Sequence, residues 1–96
     1  MTLEALLKEK REAILCICAK HGARNVRVCG SVARGEADEQ SDIDLLVEFD
    51  RGRSLFDHAA LWLELQDFLG CKLDVLSDRG IKPRIRERVL REAIPL

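Results

Sequence analysis

The apolar positions of the first segment fall at Leu3, Leu6, Leu7, Ala13, Ile14 and Ile17, the spacing of one helical face, which predicts an amphipathic helix over residues 2–20. Thr2 is placed to cap its start and Gly22 stands just past its end. Period two then takes over: in NVRVCG (25–30) Val26 and Val28 alternate with polar neighbours, a strand ending at Gly30, and SVARGEADEQS follows as a short helical turn and a loop. Residues 42–49, DIDLLVEF, form the clearest strand, with Ile43, Leu45, Val47 and Phe49 on one face and Asp42, Asp44, Leu46 and Glu48 on the other. Ser54 and Asp57 have capping-box spacing at the head of a helix with Leu55, Ala59, Trp62, Leu63, Gln66 and Leu69 as its stripe, stopped by Gly70. A third strand spans 71–77, where Leu73 and Val75 oppose Lys72, Asp74 and Leu76. Pro83 suits a first helical position, and Ile85, Val89 and Ala93 mark a last helix ending before Pro95. This order implies a small sheet covered by helices.

The chain has 96 residues, no repeat and no Pro/Gly/Ser linker, so a single domain over 1–96 is expected, with a thin core. A formal charge of −1 exerts no global pull toward nucleic acid or membrane, so partners must be read from local features. The charge is unevenly spread: residues 36–50 hold seven acids and no base, whereas RGIKPRIRERVLRE (79–92) holds six bases and two acids. That basic helix could meet nucleotide phosphates, an acidic protein surface or RNA, but a solvated helix face is favoured over these, partly because the stretch lacks aromatics for base stacking. The opening segment resembles neither a leader nor a membrane span, and a cytoplasmic protein is expected. Cys16, Cys18, Cys29 and Cys71 include no C-x-x-C pair and read as structural thiols.

Against this background two aspartates sharing one strand face need a reason. At about 6.6 Å, two ionised carboxylates repel by roughly 3 kcal/mol at an effective dielectric of 20. Full solvation, protonation of one acid or a bound cation can each offset that cost. Asp74, in the middle of the next predicted strand, would join Asp42 and Asp44 if the two strands were neighbours. Three carboxylates on one face can bracket the paired cations of two-metal phosphoryl or nucleotidyl transfer, and oxygen-only donors select magnesium or manganese. The alternative is a solvated sheet face.

Just upstream, Gly30 permits close approach of an anion to the backbone and Ser31 offers a hydroxyl, although a glycine turn between strand and helix can be purely structural. Gly30 and Gly35 have the glycine spacing of a Walker loop, but Glu36 and Ala37 stand where Lys and Ser/Thr are required. The dinucleotide fingerprint fails at Val32 and the calcium loop fails at Leu46.

Gly30-Ser31, ten residues, then Asp42-Ile43-Asp44 resembles the signature of the DNA polymerase beta-like nucleotidyltransferases. GSVARGEADEQSDIDLLVEF as a whole is similar to the minimal nucleotidyltransferases, often the antitoxin partner of a HEPN-type toxin. The resemblance implies an α/β (α+β) fold with a small mixed sheet. It also implies magnesium-dependent transfer of AMP from ATP to an acceptor hydroxyl with loss of pyrophosphate. Gly30 and Ser31 would hold the terminal phosphates, Asp42 and Asp44 would bind two metal ions, and Asp74 would complete the acceptor-side metal and help deprotonate the hydroxyl. Arg34 lies where the group often has a basic residue and would steady phosphate, or stand solvated on its helix. In the antitoxin group the acceptor is a toxin tyrosine. This chain contains no tyrosine, so such an acceptor must come from another chain, and a hetero-oligomer is expected.

Two other functions fit the same letters: a non-catalytic antitoxin that neutralises its partner by covering it, and nucleotidyl transfer to RNA or a small molecule. His58, beside Asp57 in a first helical turn, reads as a surface residue before a base. His21 suits a helix C-terminus, and Trp62 and Phe68 read as core or interface.

Overall fold

The computed structural model describes residues 2–38 and 40–96; Glu39, one of the seven acids counted above, lies outside the described residues. Two helices, α1 (Leu3–Glu9) and α2 (Arg11–Lys20), lead into β1 (Ala23–Cys29), the short α3 (Gly30–Ala33) and β2 (Ile43–Phe49). Next come α4 (Leu55–Leu69), β3 (Leu73–Ser77), a 3-10 turn (Asp78–Gly80), α5 (Pro83–Glu92) and the two-residue β4 (Ile94–Pro95). The sheet order is β3-β2-β1-β4. β1 pairs antiparallel with β2 and β4, whereas β2 and β3, joined through α4, run parallel. The sheet is therefore mixed, as the resemblance implied.

Each boundary has a local cause. Thr2 Oγ1 accepts from Ala5 N at 3.1 Å, and Ser54 and Asp57 close a reciprocal capping box on α4. Gly70 ends α4 in the left-handed conformation, φ 67°, where a side chain would be strained. Pro83 occupies the first turn of α5, where its missing N–H costs nothing.

The core lies between one sheet face and helices α2 and α4. Val28, Ile43, Leu45, Val47, Leu73 and Val75 meet Ile14 and Cys18 of α2 and Leu61 and Leu65 of α4. A bulge in β1 sets this face. The register to β2 shifts by one residue between Arg24 and Arg27, with Asn25 at φ 50°. The extra residue lets Ala23, Val26 and Val28 all point into the core, which strict alternation would forbid.

Several expectations need correction. The helix expected over residues 2–20 breaks at Lys10, although no proline or glycine forces it; Lys10 Nζ lies 5.2 Å from the centre of the Phe68 ring. On α4 the buried positions are Leu61, Leu65 and Leu69, whereas Leu55 and Leu63, assigned to the stripe, are 84% and 57% exposed. β4 is additional to the expected strands. Leu96 N donates to Val26 O at 3.0 Å, and Pro95, which has no N–H, occupies an outer strand where none is required.

Candidate functional site

The sheet face opposite the core carries the acids. β2 and β3 pair in register so that Asp44 lies directly beside Asp74, and Cys29 of β1 pairs with Asp44 from the other side. Asp42 precedes the first residue of β2 and is exposed. The proximity has an electrostatic signature: the Asp44 carboxyl is held above its ordinary range, first by burial, then by the charges of Asp74 and Asp42, with Arg34 pulling the other way. The parallel register that aligns two like charges is dictated by the core, because Ile43, Leu45, Leu73 and Val75 must all face α4.

The strand β1 delivers Gly30 against this pair. Gly30 has φ 74°, and a Cβ built on it would collide with Asp44 Oδ2, so the bend needs glycine both for its backbone angle and for room beside the carboxylate. Ser31 and Val32 follow in α3, whose four residues end at Ala33, with Arg34 as the C-cap. Arg34 is ion-paired: its guanidinium reaches Glu36 at 3.1 Å and Glu92 of α5 at 3.4 Å. The site thus has Gly30, Ser31, Asp44 and Asp74 in one place, Asp42 at its margin, and Arg34 shared with a neighbouring helix.

Cys29 sits in the same layer. Burial and then the Asp44 charge raise its thiol to about 11, and its Sγ donates to Asp44 O at 3.6 Å. A thiol kept protonated at neutral pH is a weak nucleophile, and buried here it packs as a small apolar group. Burial likewise raises Cys18 to about 11. All four cysteines are free thiols.

Two residues read from sequence as surface or core serve this site. β3 is an outer strand, so the carbonyls on its open side need partners. The His58 ring donates through Nε2 to Val75 O, and Trp62 Nε1 donates to Leu73 O, both at 2.6 Å. The carbonyls bracketing Asp74 are therefore fastened to one face of α4 by residues four apart. His58 also packs on Phe49, ring centres 5.3 Å apart. The i, i+4 spacing of a histidine and a tryptophan was visible in the sequence, but which strand they would meet was not.

Among the described residues no three of the His, Cys, Asp and Glu side chains gather closely enough to enclose a metal ion. The acids form an open pair with a third nearby, a looser arrangement than three converging carboxylates. Such openness fits magnesium, which is usually held by one or two carboxylates with substrate phosphates and water completing its octahedron. The donors are all oxygen, and the raised Asp44 carboxyl marks a place where added positive charge lowers the energy. Chemically, this is a site for a hard cation and a polyphosphate set against a glycine bend.

Fold and site together define a nucleotidyltransferase. The family described as Nucleotidyltransferase domain matches residues 10–96, and the chain belongs to that family. It is 43% identical over 88 residues, covering 92% of this chain and 95% of the relative, to a candidate protein adenylyltransferase, MJ0435, of Methanocaldococcus jannaschii. It is 38% identical over 92 residues, 96% of this chain and 86% of the relative, to the protein adenylyltransferase MntA of Thermococcus cleftensis. Among solved structures, a protein described as a candidate minimal nucleotidyltransferase superposes with TM-score 0.88 at 61% identity, over 100% of this chain and 97% of that one. A toxin–antitoxin complex with AMP-PNP shares the fold at TM-score 0.75 and 17% identity, over 88% of this chain and 69% of the other. The chain is accordingly a nucleotidyltransferase enzyme with the minimal fold of that family.

Proposed function

We propose that this enzyme transfers AMP from ATP to a hydroxyl of a partner HEPN-type toxin, most simply a tyrosine, and so acts as its antitoxin in the cytoplasm. One observation carries the reading: the register that sets Asp44 beside Asp74 at the Gly30 bend. The relatives named as protein adenylyltransferases support a protein acceptor, and the fold shared with a toxin–antitoxin complex supports a toxin. The chain contains no tyrosine, so an acceptor of that kind must come from another chain, which supports a protein partner.

In this reading Asp42 and Asp44 hold two magnesium ions, with Asp74 completing the acceptor-side one. When bound, magnesium neutralises the carboxylates and the triphosphate and stabilises charge on the departing pyrophosphate. Gly30 and Ser31 hold the terminal phosphates through backbone N–H and hydroxyl. Asp74 takes the proton of the acceptor hydroxyl as its oxygen bonds to the alpha phosphorus and the bond to the bridging oxygen breaks. Arg34 steadies phosphate by exchanging one of its two carboxylate partners for it.

Asp42→Asn discriminates this from neutralisation by covering alone. Co-expressed with a HEPN-type toxin that the native chain neutralises, the variant is expected to lose AMP transfer and protection of growth together. Protection that survives without transfer assigns the chain to a binding antitoxin.

A further inference from the structure

An open groove of about 960 Å³ runs along the outside of β3, between the head of α4 and the first half of α5. Its floor is aliphatic, with Leu55, Leu76, Ile81, Ile85 and Val89 among its walls. Its rim is basic: Arg51, Arg53, Arg79, Lys82 and Arg84 face one acid, Asp50. Among the described residues only Arg53 of these cations is engaged in an ion pair, with Asp57 at 3.3 Å. A second, smaller depression shares Leu55, His58 and Val75 with the groove and counts Asp74 among its lining residues. The two depressions therefore adjoin at Leu55, and the second leads to Asp74. Leu55 and Phe56, at the head of α4, are 84% and 88% exposed.

We propose that this groove docks an acidic, amphipathic segment of the acceptor protein: apolar side chains on the floor, carboxylates against the rim, and the acceptor hydroxyl delivered past Leu55 to Asp74. The inference rests on the reading of the acids as a nucleotidyl-transfer site. The charge imbalance selects an anionic occupant, and the aliphatic floor selects a protein over a nucleic acid. Phe49 and His58, the rings among its lining, are tilted against each other with centres 5.3 Å apart.

The test is an amide NMR titration of the full chain with a short synthetic helix carrying leucines on one face, glutamates on the other and one tyrosine, beside a control with lysines for glutamates. The acidic peptide is expected to shift the amides of Leu55, Ile81, Ile85 and Val89 and the control is not. Binding should weaken about tenfold in the Arg79→Glu/Lys82→Glu/Arg84→Glu triple variant and in Leu55→Asp, both altered at exposed positions so that the fold is kept. Equal binding of the two peptides, or no shift from either, overturns the proposal. So does a single-stranded oligonucleotide moving the same amides, or self-association that the triple variant abolishes. A separate titration with magnesium and ATP reads Gly30, Ser31 and Asp44. Failure there alone removes the catalytic reading and leaves the groove result standing, whereas failure at the groove alone removes only the docking site.

Discussion

Asp44 is the residue on which stability and chemistry pull in opposite directions. Folding raises its carboxyl above the ordinary value of 3.8, so the group favours the fold below that value and withdraws its contribution as pH rises through its folded value. Asp44→Asn is expected to abolish nucleotidyl transfer yet melt a few degrees higher at neutral pH, a gain that vanishes below the ordinary carboxylate range; calorimetry across pH reads both effects. Gly30→Ala is expected to lose on both counts. A methyl at φ 74° is strained by about 1–2 kcal/mol and forces Asp44 Oδ2 to move, so urea denaturation should show the cost and nucleotide binding should fall with it. The pairing of Gly30-Ser31 with Asp42 and Asp44 was legible at this scale, because spacing and residue type are local facts. The double ion pair of Arg34 was not, since Glu92 is 58 residues away.

At the scale of elements, the caps were readable and the faces were less so. Thr2, the Ser54–Asp57 box, Gly70 and Pro83 act within a few residues of themselves and stand as the sequence indicates. α4, by contrast, is apolar nearly all round, so periodicity alone does not separate the buried Leu61–Leu65–Leu69 line from the exposed Leu55 and Leu63. The bulge at Asn25 and the two-residue β4 depend on partner strands and leave no local mark. His58 and Trp62 belong to this scale too. Trp62→Phe leaves Leu73 O without its donor and is expected to cost about 1 kcal/mol in urea denaturation, with transfer impaired more than ATP binding because Asp74 lies between the fastened carbonyls. Unchanged stability and turnover would show that α4 does not hold β3 in place.

For the whole molecule, charge is arranged by region: acids at one end of the sheet face opposite the core, bases along α5 and the groove. Elsewhere some carboxylates are paired. Glu64 is held below its usual range, chiefly by hydrogen bonds from Lys20 and His21, and its contribution is present above 4.5 and lost as pH falls through the folded value. Glu64→Gln should therefore lower the melting temperature at neutral pH and not in acid, the reverse of Asp44→Asn. Magnesium should raise the melting temperature of the native protein and leave Asp44→Asn unmoved, because the cation acts by relieving a repulsion the variant no longer has. The fold class follows from the alternation of periods along the chain; the acceptor does not, because its recognition lies on surfaces that only the packed elements create.

The central claim, that paired carboxylates beside a glycine bend transfer a nucleoside monophosphate, is tested most directly with ATP labelled at either the alpha or the gamma phosphate. With magnesium and the proposed toxin partner present, label from the alpha position is expected on that partner, none from the gamma position, and neither with Asp42→Asn. Gamma label on the acceptor would mean phosphoryl transfer and contradict the account.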